Sequence, residues 1–381
     1  MGQKCLSCHV CKSSDILVHN LYSSVSKVSS DCKPCNFQGE LVTCNKCSTL
    51  QTSPTYEWQK VVEKIYAEYN PYFQSNGVEQ VIHKANSNKP LSRSCYLVNE
   101  FKTKGFLKIR GKLLDIGCGN GAFLKAFSKI NKNWDLYGFD LNDIHKNEIL
   151  SILNVKSFFC KDLNEINERF DFISLVHVLE HIPDPIRFLE DVRKLLKPDG
   201  KLLIQVPDWS QNVFILLVAD HCSHFDQKTL YQVVLESGLS PAYITNQLIP
   251  KEITIFCTNS CTDLVDIPEV NSISPENSLE GIHKFLKDSK KFASSSPLFG
   301  IFGTSLSGSW LASELNYENS FFVDEDPDRV GNSFYGRKII SPDDIPSSAT
   351  VLVPLAKHIS SNIKLKLNQK HHNLNIIIPN V

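Results

Sequence analysis

The chain's 381 residues are too many for one average core, so two or three domains are expected. With 42% hydrophobic and 21% charged residues it has a globular make-up, and a formal net charge of −1 excludes an electrostatic case for nucleic acid or an anionic membrane surface. No apolar run reaches a membrane span (Phe214 to Ala219 comes nearest), and no apolar leader follows Met1-Gly2-Gln3-Lys4-Cys5, so the expected setting is the cytoplasm.

Residues 1–52 hold seven of the 13 cysteines: Cys5, Cys8, Cys11, Cys32, Cys35, Cys44 and Cys47. Without an export signal, such crowding points to metal thiolates rather than disulfides. Cys8-His9-Val10-Cys11 and Cys44-Asn45-Lys46-Cys47 are each followed by small or polar residues. That is the form of a knuckle presenting two thiolates and backbone amides to one zinc ion. Cys8, Cys11, Cys44 and Cys47 are favoured because their knuckles lie outermost around a small hairpin module. Cys5, Cys32 and Cys35 keep the choice open. Four thiolates leave no vacant position, so the zinc would be structural.

Residues 53–107 read as a helical cap. Trp58, Val61, Val62, Ile65, Tyr66 and Tyr69 share one face at helical spacing. Tyr66, Tyr69, Tyr72 and Phe73 either line a substrate pocket or pack the cap onto the core. Val78 to Ile82 and Cys95 to Phe106 suggest further helices.

In residues 108–260, Lys112 to Ile116 reads as a buried parallel strand. The turn Gly117-Cys118-Gly119-Asn120-Gly121 follows, then a helix through Phe123, Leu124, Ala126 and Phe127. Glycines there let the backbone pass close to a ligand, as in nucleotide-binding strand–turn–helix units. Leu136 to Asp140 is a second strand, ending in a carboxylate able to accept from both ribose hydroxyls. Ser157 to Cys160 is a third, leading into Lys161-Asp162-Leu163. Phe170 to Val176 runs into His177-Val178-Leu179-Glu180-His181-Ile182-Pro183-Asp184, and Leu195 to Ile204 turns into a fifth strand.

These five segments, in this order, resemble the class I S-adenosylmethionine-dependent methyltransferases, with Asp115-x-Gly117-x-Gly119-x-Gly121 as motif I. The resemblance implies a Rossmann-like α/β core that binds S-adenosylmethionine. Asp115 and Gly117 to Gly121, Cys118 included, would hold the amino-acid end, Asp140 with Leu141 the ribose, and Asp162 with Leu163 the adenine. Val176 and His177 would close the pocket.

After the fifth strand come Val206-Pro207-Asp208-Trp209, an apolar helix-like piece and the loop Ala219-Asp220-His221-Cys222-Ser223-His224-Phe225. Thr229 to Gly238 reads as a helix and Tyr243 to Ile255 as two strands. A carboxylate beside an imidazole can orient it as a general base. His221 with Asp220 is therefore the expected base, and His224, His181 and Tyr72 are alternatives; a capping Asp and loop histidines is the plainer reading.

Residues 261–294 form a polar connection with a helix from Leu279 to Phe292, and residues 295–381 a second Rossmann-like α/β unit. Its strands are read at Phe299, Phe321 to Asp326, Ala349 to Pro354 and Leu374 to Ile378, with a helix from Trp310 to Leu315. Ser305 stands where a dinucleotide fingerprint needs its middle glycine, so a scaffold or substrate-side domain is expected rather than a cofactor site.

A cysteine module, a methyltransferase core and a C-terminal Rossmann-like unit together resemble the sugar C-methyltransferases. The resemblance implies a nucleotide-linked keto-sugar or glycan precursor as the small-molecule partner. In that family's "HEH.SYF" loop, Asp220 here replaces the glutamate, Ala219 the preceding histidine and His224 the tyrosine, which leaves C- against O-methylation open. A non-catalytic cofactor-binding scaffold is disfavoured by the intact motif I. A nucleic-acid methyltransferase is disfavoured by the near-neutral charge and the lack of an Asn/Asp-Pro-Pro-Tyr motif after strand four.

Overall fold

The computed structural model describes residues 6–69, 79, 91–260, 265–266, 273–296, 298–315, 320–371 and 373–380, together with the backbone of the short strand Val81–Ile82. Its centre is a seven-stranded sheet in the order Val155–Cys160, Trp134–Asp140, Gly111–Ile116, Phe170–Val176, Leu196–Pro207, Glu252–Thr258, Ser240–Thr245. The first five strands are parallel; Glu252–Thr258 is antiparallel to its neighbour, and Ser240–Thr245 reverses again. The apolar runs are buried on both faces, as parallel strands require. Strand order reverses beside Gly111–Ile116, so the crevice at the carboxyl ends of this strand and of Phe170–Val176 is where such sheets take ligands. This is the class I methyltransferase fold expected from the sequence.

Helix Ala122–Ile130 buries Phe123, Leu124, Ala126 and Phe127. Phe127 meets Trp134 edge-on at 5.3 Å. Helix Arg93–Thr103, capped by Ser92 accepting from Cys95 N at 3.3 Å, covers another part of the sheet. Its Phe101 packs edge-on 4.3 Å from Phe256, which also stacks on Phe106 at 4.4 Å. Truncating Phe101 to alanine is expected to cost about 3–5 kcal/mol.

A four-stranded sheet carries the N-terminal cysteines: Ile16–Val18, Leu41–Cys44, Leu50–Thr52 and, from far along the chain, Ser223–His224. Ser223 pairs with Gln51 and His224 with Leu50. Helix Tyr56–Ala67 follows, capped by Thr55, and Trp58 Nε1 donates to Ala219 O at 2.8 Å.

Helix Pro275–Ser295 leads to a six-stranded sheet ordered Ser333–Phe334, Arg337–Ile340, Ser320–Val323, Phe299–Phe302, Thr350–Leu352, Asn375–Ile377. Its strands are parallel except for the first hairpin. Helices Leu306–Leu315 and Lys357–Lys370 belong to this second α/β unit. Phe214, Phe285 and Trp310 share a core with Val25 and Val28, so the cysteine module and the second unit are packed together.

The helix expected across Val78 to Ile82 is not formed where it is described. Val81–Ile82 pairs antiparallel with Leu91–Ser92. Two adjacent β-branched residues favour extended backbone, and so short a piece cannot nucleate a helix. Val78 and Phe73 lie outside the described residues. Among the described residues no helix is long and apolar enough to cross a membrane.

Candidate active site

The glycine turn is shaped by positive φ at Gly117 (72°), Gly119 (50°) and Gly121 (77°). A Cβ on Gly117 would lie 2.5 Å from Val178 Cγ2 and one on Gly121 2.7 Å from Ile152 Cδ1. At Gly119 nothing lies within 4 Å, so this glycine borders open space. Its N–H donates to Asp140 Oδ2 at 2.9 Å. Beneath the turn Asp115 is buried and accepts from Ser174 Oγ at 2.7 Å; burial, with Asp140 and Glu79 nearby, pushes its carboxyl up to about 7. Cys118 is also buried, and its N–H donates to Phe139 O. Leu141 is exposed. Asp162 accepts from Asn164 N and Nδ2, each at 2.9 Å, and caps the short turn Leu163–Glu165.

Strand Phe170–Val176 ends at partly buried Val176, and His177 then adopts φ 56°, a left-handed conformation that is strained for a non-glycine residue. Its Nδ1 lies 3.1 Å from Glu180 Oε1 and its Nε2 3.2 Å from Glu252 Oε1. Arg93 Nη1 donates to Glu252 at 3.0 Å and lies 2.7 Å from His177 Nε2. Burial opposes charge on His177, but Glu252 and Glu180 outweigh it and raise the imidazole to about 9. Burial likewise works against the Glu252 carboxylate, yet Arg93 and His177 hold it down at about 2.

The loop before Ser223–His224 completes the cluster. His181 Nδ1 lies 2.9 Å from Asp220 O and 3.4 Å from Asp220 Oδ2. Ser30 grips the same carboxylate through its N–H (2.8 Å) and Oγ (2.5 Å). The His181 and His221 rings meet edge-on at 4.6 Å, and Tyr66 approaches His181 at 6.0 Å. Burial, then the neighbouring His181, His224 and His177, drop His221 well below its ordinary value, so it stands neutral at physiological pH.

Sequence reading paired Asp220 with His221; the structure gives Asp220 to His181 and to Ser30. Ser30 and His181 take up the Asp220 carboxylate, so neighbouring places in the chain do not make it the partner of the His221 imidazole. His224 is turned into the cysteine module, where Nε2 lies 3.0 Å from Thr52 Oγ1 and burial lowers the ring to about 3. Tyr72 lies outside the described residues. Arg93, Glu252 and Ser30 were missed. Arg93 joins Glu252 across 159 positions and Ser30 joins Asp220 across 190, so no local spacing signals either pair.

The Sγ atoms of Cys8, Cys11, Cys44 and Cys47 all lie within 4.8 Å of one another. Cys8–Cys47 and Cys11–Cys44 are each 3.5 Å apart, against the roughly 3.8 Å edge of a tetrahedron with metal–sulfur bonds of about 2.3 Å. The two knuckles repeat one geometry. Lys12 N donates to Cys8 O and Ser48 N to Cys44 O, with φ 60° and 61° at the donors. Against burial, the backbone amides of Cys47 and Lys46 hold the Cys44 thiol below its ordinary value. The donor set fits a tetrahedral thiolate ion. Cys32 is buried in a different core, with Val25 and Val28; Cys5 lies outside the described residues.

A family profile described as a methyltransferase domain matches residues 85–243. The core is a methyltransferase domain. A ubiquinone biosynthesis O-methyltransferase of Coxiella burnetii (strain Dugway 5J108-111) is 33% identical over 130 residues, covering 31% of this chain and 53% of that protein. The protein of the same name from Glaesserella parasuis serovar 5 (strain SH0165) is 28% identical over 172 residues, covering 42% of this chain and 69% of that protein. The chain thus spans about half the length of the first of these relatives. Among solved structures, the pyocyanin biosynthetic protein PhzM superposes with a TM-score of 0.37 at 17% identity, covering 42% of this chain and 53% of that one.

Proposed function

We propose that the chain transfers the methyl group of S-adenosylmethionine to a small-molecule acceptor. The observation that carries this is the open turn at Gly119 with the Asp140 carboxylate behind it, beside a buried cluster of imidazoles and carboxylates at the same sheet edge. Asp140 would exchange its backbone donor for the ribose hydroxyls. Gly117 to Gly121 would take the amino-acid end, Asp162 with Leu163 the adenine, and Val176 with His177 the pocket wall. The sulfonium makes the methyl carbon electrophilic, so the protein has to hold an acceptor atom about 3 Å away and remove its proton. For a carbon acceptor, neutral His221 or the Asp220-bound His181 would take that proton.

The acceptor we favour is a nucleotide-linked keto-sugar or glycan precursor, methylated at carbon. The three-part build supports it, with residues 1–52, the cap 53–107, the core 108–260, the connection 261–294 and the unit 295–381 as working boundaries. Cys8, Cys11, Cys44 and Cys47 would hold a structural zinc that braces the strand Leu50–Thr52, and through it the loop carrying His221. Reduced thiolates suit a cytoplasmic setting. Methylation at oxygen is the second reading, favoured by the relatives named as O-methyltransferases. Isotopically labelled S-adenosylmethionine, offered with 4-keto-hexose nucleotides, their reduced alcohols and RNA, tests the set. Label on a sugar carbon, lost in His221→Ala, is expected. Label on a hydroxyl selects the second reading, and label on RNA alone overturns both.

A further inference from the structure

One carboxylate in the candidate site has no counterpart in simple base catalysis. Glu180 is 1% exposed, and although its Oε1 faces His177, its Oε2 is buried without a hydrogen-bond partner among the described residues. An unpartnered buried carboxylate oxygen is costly unless something positive meets it. A Glu180 carboxylate oxygen and ring nitrogens of His181 and His221 all lie within 4.8 Å of one another. With His181 Nδ1 held by Asp220, Nε2 is the ring nitrogen left over for a ligand, the carboxylate–histidine arrangement that orients metal-binding imidazoles.

We propose that Glu180, His181 and His221 bind a divalent transition-metal ion in the active site, separate from the four-cysteine centre. Three protein ligands leave positions open for an acceptor oxygen, and two imidazoles with one carboxylate suit first-row transition ions better than magnesium. The ligand edges of such an ion measure roughly 3.3 Å for bonds of about 2.05 Å, so a small rotamer closure completes the site. The inference rests for its purpose on the methyl-transfer reading in its second form, with a hydroxyl acceptor methylated at oxygen. With the ion in place the two imidazoles ligate rather than take protons. The bound acceptor hydroxyl, acidified by the ion, loses its proton to solvent. Its oxygen then takes the methyl carbon, and the C–S pair returns to sulfur as the neutral thioether.

The test is a titration of Mn2+ into the full chain with its cysteine centre zinc-loaded, followed by the loss of the free-ion paramagnetic resonance signal. Thiolate centres select zinc, so Mn2+ reports the nitrogen–oxygen site. One Mn2+ per chain is expected in the wild type. Glu180→Gln, a near-isosteric change, should weaken it by at least about 100-fold, and Asp220→Asn, acting through His181, by about 10–100-fold. Retained zinc and an unchanged melting temperature certify that the variants fold. Absent Mn2+ binding in the wild type, or equal binding in Glu180→Gln, overturns the site, as does transfer undiminished after Mn2+ is withdrawn. Ion bound with no transfer to any acceptor leaves the site standing and overturns the methyl-transfer reading instead.

Discussion

The two α/β units are built on one plan and differ at one point. Each runs strand, glycine turn, helix and a second strand ending in aspartate: Gly117 to Gly121 with Asp140, and Gly303 to Gly308 with Asp324. In both, the carboxylate accepts a backbone N–H of the turn at 2.9 Å, from Gly119 and from Thr304. Asp140 keeps that bond beside open space. Asp324 also accepts from Thr304 Oγ1 at 2.6 Å and pairs with Arg329 Nη1 at 3.3 Å. A Cβ on Gly308 would lie 2.1 Å from Gly303 O, so the second turn is drawn closed on itself. The protein's own hydroxyl and guanidinium occupy the carboxylate that a cofactor would need. The strands that follow diverge too: Phe170–Val176 leads into His177, Glu180 and His181, whereas Thr350–Leu352 leads into Val353-Pro354-Leu355. One unit has kept an open edge and charged groups for chemistry; the other has become a packed body.

Breaking the closed turn should have the largest effect on stability. Arg329→Leu leaves the buried Asp324 carboxylate without its guanidinium partner, so the second unit should lose about 3–5 kcal/mol in denaturant melts, while S-adenosylmethionine affinity stays unchanged. The open turn should respond the opposite way. Gly119→Val puts a branched side chain into the space the ligand would use, and calorimetry should show affinity falling on the order of 100-fold, about 2.7 kcal/mol. Its cost in folding should stay near the 1–2 kcal/mol of a left-handed non-glycine residue.

The charged edge of the central unit adds a pH signature that the second unit's apolar edge cannot supply. His177 is raised to about 9 from an ordinary 6.5, so its stabilisation is complete below pH 6.5 and is lost as pH climbs through 9. Glu252 is lowered to about 2 from an ordinary 4.5, so its share is present above pH 4.5 and disappears as pH falls towards 2. Glu252→Gln should flatten the alkaline limb of a profile of unfolding free energy against pH by on the order of 2 kcal/mol. A limb that keeps its full height in the variant would assign it to other groups. The smallest effect should come from the surface of the second unit. Lys366 and Glu325 are 65% and 52% exposed, and Lys366→Ala should move stability by no more than about 0.5 kcal/mol.

The central sheet was readable because buried parallel strands are near-continuous apolar runs, as in Leu113 to Ile116 and Phe170 to Val176, and because glycines punctuate the turn. The helix Lys357–Lys370 went unread, since Lys364, Lys366 and Lys370 blur its apolar stripe of Ile363 and Leu367. Within the candidate site, the residue types were legible and their partners were not. Asp220 and His221 are neighbours in the chain, yet Ser30 and His181 hold the carboxylate. The open and closed glycine turns were told apart by Ser305 alone in the sequence; the structure adds Arg329, which reaches back 25 positions to Thr304.

The most direct test is a calorimetric titration of S-adenosylmethionine into the wild type, Asp140→Ala and Asp324→Ala. One site per chain is expected in the wild type, weakened by about 100-fold in Asp140→Ala and intact in Asp324→Ala. Unchanged binding in Asp140→Ala, or binding lost with Asp324, would contradict the assignment of the open turn as the cofactor cradle.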